Sequence, residues 1–95
     1  MEALTIRRAQ PSDAAALEQL AALDSSRPLR SPVLVGEVGG ELWAAVSIED
    51  HRVVSDPFRP SGELAFVLSE RVRQIRRSEH RRRRPRVLGR LRLAA

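Results

Sequence analysis

Few residues in this 95-residue sequence have both the type and the spacing for chemistry. Ser, His and Asp all occur, yet no G-x-S-x-G elbow or comparable framework sets them up as nucleophile, base and orienting acid. The two histidines, His51 and His80, stand 29 positions apart without a Cys, Asp or Glu at ligand spacing, so no metal site is expected. Glu49 and Asp50 are adjacent carboxylates that could act as a general base, although a solvated hairpin tip explains them better. With no cysteine there is no disulfide, thiolate nucleophile or thiolate metal ligand.

The strongest local signal is basic. Arg76, Arg77, Arg81, Arg82, Arg83, Arg84 and Arg86 follow one another closely, and all 17 basic residues of the chain are arginine. Such a run can neutralise several phosphates, with an affinity that falls steeply as salt rises, and guanidinium suits the bidentate geometry of phosphate. No aromatic residue interleaves the run, so stacking on bases is not expected; a solvated extension is the competing reading. Residues 1–75 carry a net charge of −3 and residues 76–95 one of +8, which together give the chain its +5. The division predicts a mildly acidic folded body over residues 1–77 and an Arg-rich, flexible tail over 78–95.

The elements that must position these groups follow from the patterning. Leu4–Arg8 alternates as a half-buried strand. Pro11 and Asp13 then open a helix with an apolar stripe of Ala14, Leu17, Leu20, Ala21 and Leu23. Val33–Val38 and Glu41–Glu49 flank Gly39-Gly40, a two-residue hairpin turn with positive φ. In a straight register, Val33, Val35, Leu42, Ala44, Val46 and Ile48 share one face. Leu34, Val38, Trp43 and Ala45 share the other, with Trp43 opposite Gly36. Asp50-His51 is expected to make a second tight turn, setting Glu49 opposite Arg52 and Ile48 opposite Val53. Ser61 is the expected N-cap of a second helix ending near Arg77, built on Leu64, Ala65, Leu68, Val72 and Ile75. Pro85 ends any helix that runs further. The predicted fold is therefore α+β: a small antiparallel sheet of about four strands with two helices, in the order β-α-β-β-β-α. Leu34, Val38 and Trp43 must be covered by the second helix or by a second chain, which makes them the candidate interface residues.

These segments resemble the N-terminal half of the GNAT superfamily of N-acetyltransferases. The likeness covers roughly residues 3 to 50 and rests on Leu4-Thr5-Ile6-Arg7-Arg8-Ala9, then Pro11-Ser12-Asp13-Ala14-Ala15-Ala16-Leu17, then Val33 through Val46 around the Gly39-Gly40 turn. The resemblance implies a GNAT-like half domain. In that family acetyl-CoA is held by backbone N–H groups of a Gln/Arg-x-x-Gly-x-Gly/Ala loop at a helix N-terminus. Here only Arg86-Val87-Leu88-Gly89-Arg90-Leu91 approaches that loop, with Leu91 where a small residue belongs, and no Tyr is present as general acid. The expectation is a truncated, non-catalytic module without a cofactor. It would be cytoplasmic, since no secretory signal or membrane-spanning run is seen, and would act as a homodimer or on a partner protein. A nucleic-acid-associated protein working through the Arg run is the alternative, and an acyltransferase remnant completed by another chain is a second one.

Overall fold

The computed structural model describes residues 3–83. It contains strand β1 (Leu4–Arg8), a short 3-10 turn (Pro11–Asp13) leading into helix α1 (Ala14–Leu23), strands β2 (Val33–Val38), β3 (Glu41–Ser47) and β4 (Val53–Ser55), and helix α2 (Gly62–Arg83). The strands form one four-stranded antiparallel sheet in the order β1-β2-β3-β4. The class and the element order are those the patterning predicts.

The helices lie on opposite faces of the sheet, which gives the molecule two apolar clusters. Leu20 and Ala21 of α1 close over Val33, Val35, Ala45 and Val54, with Leu17 and Leu42 at the margin. On the other face Leu64, Leu68 and Val72 of α2 close over Leu34, Ala44, Val46 and Ile48, with Ile6, Val38 and Trp43 packed against them. Burial of a large aliphatic side chain contributes about 1.5–3 kcal/mol, so α2, with three buried side chains, fastens more of the sheet than α1 does.

The face assignment expected of the β2–β3 hairpin needs correction. The turn itself forms as predicted, with Gly39 and Gly40 at φ of +59° and +84°. The pairing then slips by one residue: Glu37 faces Leu42, but Gly36 faces Ala44, Val35 faces Ala45 and Leu34 faces Val46. This is a β-bulge, and Trp43 is the extra residue. Beyond it every β3 side chain changes face, so Ala44, Val46 and Ile48 meet α2 while Ala45 meets α1. Trp43 consequently does not lie over Gly36. Leu64 does: a methyl group added at Gly36 would stand 2.8 Å from Leu64 Cδ1 and 2.9 Å from Cγ and Cδ2. The bare glycine lets α2 come down onto β2.

The β3–β4 connection also differs from a two-residue turn. The Ser47 N–H donates to the Arg52 carbonyl and the His51 N–H donates to the Ser47 carbonyl, which closes a four-residue loop, and Val46 rather than Ile48 faces Val53. Ile48 is instead drawn into the α2 cluster. His51 takes the left-handed conformation the loop requires, at φ +62°, a conformation in which His is enriched among non-glycine residues. Ser61 sits where the N-cap was expected, its carbonyl accepting from the Ala65 N–H. Its buried hydroxyl, however, donates to the Asp56 carbonyl, holding the β4–α2 loop. Helix α2 continues six residues past its expected end, so Ser78–Arg83 of the predicted tail are helical.

Candidate functional site

Arg7 is the most densely bonded side chain of the described residues. Its Nη1 and Nη2 donate to the two carboxylate oxygens of Asp13 at 2.8 and 3.0 Å, and its Nε donates to Glu37 Oε1 at 2.8 Å. One guanidinium therefore joins β1, the start of the first helix and β2. Asp13 also accepts the Gln10 N–H. The Arg7 guanidinium, and secondarily that N–H, hold the Asp13 carboxyl at about 2, well below its usual range. Arg7 in turn is pushed upward, chiefly by its bond to Asp13. This network lines a cleft of about 330 Å³ between α1 and the hairpin, which Glu41 and Asp56 also line. Its one guanidinium is fully used by carboxylates, so the cleft reads as a structural joint.

The candidate catalytic groups are not assembled. His51 and His80 are both exposed. Asp50 accepts the Arg52 N–H at 3.0 Å, which shapes the loop and is the main cause of its lowered pKa. Glu49 and His80 do come together with Arg76, Glu79, Pro32 and Ile48 around an open recess of about 440 Å³, but no nucleophile stands in it. Among the described residues no group of three or more His, Cys, Asp or Glu could hold a metal ion. None of their helices is long and apolar enough to cross a membrane.

The candidate interface residues divide. Leu34 is only 4% exposed, covered by α2 within the same chain, so it is not available to a second molecule. Val38 and Trp43 are half-buried against the same cluster. The Arg59 guanidinium lies 5.5 Å from the centre of the Trp43 ring, within cation–π range, and Arg59 is itself held by Glu41 at 2.6 Å. The apolar side chains that do face solvent are others, missed because each sits within a pattern read as core or loop. Phe58 in the β4–α2 loop is 80% exposed, Phe66 on α2 is 66% exposed and Leu4 on β1 is 55% exposed.

The arginines are arrayed on the second half of α2. Arg76, Arg77, Arg81 and His80 surround one open depression of about 470 Å³. On the flank turned toward β1, Arg71 and Arg82 meet Arg8 around another of about 380 Å³, which Gln74, Ile75, Ser78 and the carboxylate of Glu79 also line. Arg8 and Arg71 are additions that no run in the sequence signals. Among the described residues, Arg76, Arg77, Arg81 and Arg82 pair with no carboxylate, whereas Arg73 pairs with Glu70 one turn earlier. The cations sit toward the helix C-terminus, where the macrodipole favours them. Arg83 belongs to α2; Arg84 and Arg86 lie outside the described residues, as does the Arg86–Leu91 segment. Comparison of the chain with protein-family models, with curated proteins and with solved structures finds no match in any of the three.

Proposed function

We propose that the chain is a small cytoplasmic, non-catalytic, GNAT-like module that works by association, with a second copy of itself or with a partner protein. The observation that carries this reading is the exposure of Phe58 and Phe66. They are two of the three aromatic residues in the chain, and each forgoes the burial that a large ring ordinarily finds. The test is sedimentation of the whole chain from about 10 μM to about 1 mM, the range of weak association. A concentration-dependent dimer supports the reading. A monomer throughout, with Phe58→Ser/Phe66→Ser indistinguishable in hydrophobic-dye binding, refutes it.

A second reading, binding of nucleic-acid phosphate, is favoured by Arg76, Arg77, Arg81 and Arg82, which stand on a regular helix and pair with no carboxylate among the described residues. It expects retention on RNA or DNA that drops sharply between low and moderate salt and is lost on deletion of residues 78–95. Retention that survives the deletion excludes the tail as its source.

A further inference from the structure

The two edges of the sheet are finished differently. In β4, the Ser47-to-Arg52 and Asp56-to-Trp43 bonds show that Arg52, Val54 and Asp56 bond inward to β3, leaving Val53 and Ser55 facing out. That edge is only three residues long, and its Ser55 N–H is taken by the Asp24 carboxylate at the end of α1, at 3.1 Å. In β1, Ala9 donates to Val33 and Gly39 donates to Ala3, so Ala3, Thr5, Arg7 and Ala9 bond inward. The N–H and C=O groups of Leu4, Ile6 and Arg8 point away from the sheet. The only bond to any of them among the described residues is a long one, 3.2 Å, from Arg7 Nη1 to the Arg8 carbonyl. Among the described residues neither proline, bulge nor covering loop blunts this edge; of the usual defences of an outer strand it has only charge, at Arg7 and Arg8, and Arg7 is neutralised by Asp13 and Glu37. Helix α2 lies chiefly over β2, β3 and β4 and reaches β1 at Ile6 and Arg8, which leaves Leu4 exposed at the other end of the strand.

We propose that β1 pairs with β1 of a second copy, antiparallel about a two-fold axis at Ile6, to make one continuous eight-stranded sheet. This rests on the association reading above and places self-contact on the β1 edge rather than at Phe58 and Phe66. The register is self-complementary. Ile6 exchanges both backbone bonds with Ile6 of the second copy, and Leu4 and Arg8 exchange theirs with Arg8 and Leu4. All three outward residues are thereby satisfied at once. On the α2 side, exposed Leu4 lies against the aliphatic stem of the second Arg8. The two Arg8 residues themselves stand four strand positions apart, about 14 Å, and do not oppose one another. On the other side Arg7 is already neutralised by Asp13 and Glu37.

The absence of native cysteine allows a test of register on the full-length chain. Leu4→Cys/Arg8→Cys should form a disulfide-linked dimer under mild oxidation, because positions 4 and 8 of different copies lie about 5.5 Å apart at Cα. Either single variant should not, its symmetric copy being too distant. Leu4→Pro, which removes an outward N–H without touching a bond to β2, should turn the dimer into monomer in sedimentation. Val53→Pro, the matching change on β4, should leave it. A dimer that survives Leu4→Pro and does not cross-link at 4 and 8, but is lost in Phe58→Ser/Phe66→Ser, overturns this surface while the association reading stands. A monomer at about 1 mM overturns self-pairing altogether.

Discussion

Gly36→Ala tests the packing of α2 on the sheet most directly. Gly36 does not require a left-handed backbone, so alanine fits the chain path, and restricting the unfolded state returns about 0.4–1 kcal/mol. Against that, the new methyl would stand within 2.9 Å of three Leu64 side-chain carbons, where an ordinary contact is about 3.5–4.0 Å. Leu64 is 7% exposed and cannot rotate freely, so α2 must lift or Leu64 must leave its rotamer. Overpacking of this kind costs about 1–3 kcal/mol, for an expected net loss of about 1–2 kcal/mol. In a domain of this size that lowers Tm by roughly 4–8 °C per kcal/mol. Leu64→Ala alone leaves a cavity and should cost at least about 2 kcal/mol. In the double variant the added methyl enters the vacated space, so the two losses should fall short of additivity by about 1 kcal/mol. Urea denaturation followed by the fluorescence of Trp43, the sole tryptophan, measures all four proteins. A Gly36→Ala variant as stable as the parent, or losses additive within about 0.3–0.5 kcal/mol, would refute the account of Gly36.

Three further outcomes are expected. Leu68 is fully buried at the centre of the α2 cluster, and Leu68→Ala should cost about 3–4 kcal/mol, visible as a large drop in the urea midpoint. The Asp13 carboxyl is lowered in the folded chain to about 2 from an ordinary value near 3.8, so it contributes stability above about pH 4 that disappears as the pH falls through 2. Asp13→Asn should remove that part of the acid limb, and an unchanged pH profile would mean the Arg7 network is idle in solution. Asp24→Ala leaves the Ser55 N–H without its carboxylate and should cost about 1 kcal/mol; hydrogen exchange at Ser55 should quicken more than at Val54, which bonds inward.

The elements were legible where one physical rule governed them. Gly39-Gly40 between two apolar runs has few alternatives to a primed turn, and Leu64, Leu68 and Val72 mark a helix face by spacing alone. The register of β3 was not legible, because both faces of the sheet are covered by a helix and both carry apolar residues. Period-two alternation then no longer distinguishes inside from outside, and nothing in Leu42-Trp43-Ala44 announces a bulge. The same ambiguity left open whether the second helix or a second chain would cover Leu34, and α2 does so. Loss of the apolar period beyond Ser78 marked where α2 leaves its buried partners rather than where the helix ends; arginine is a good helix former, and Ser78–Arg83 continue it. As for the site, the Arg run was visible as a run. The convergence of Arg8 with Arg71 and Arg82 depends on β1 passing beside α2 and has no local signature.

Helix α2 has a last consequence. Its buried residues stop at Val72, with Ile75 half-buried, yet it continues two further turns to Arg83. One unbroken hydrogen-bonded rod thus spans two regimes of opening. Near Leu68 and Val72 an amide can exchange only when the core comes apart, whereas near Arg81 fraying from the end suffices. An anion that settled on the arginines of those last turns would cost the core little and would lengthen the protected part of the helix, so that occupancy would be readable as a moving boundary of exchange along α2.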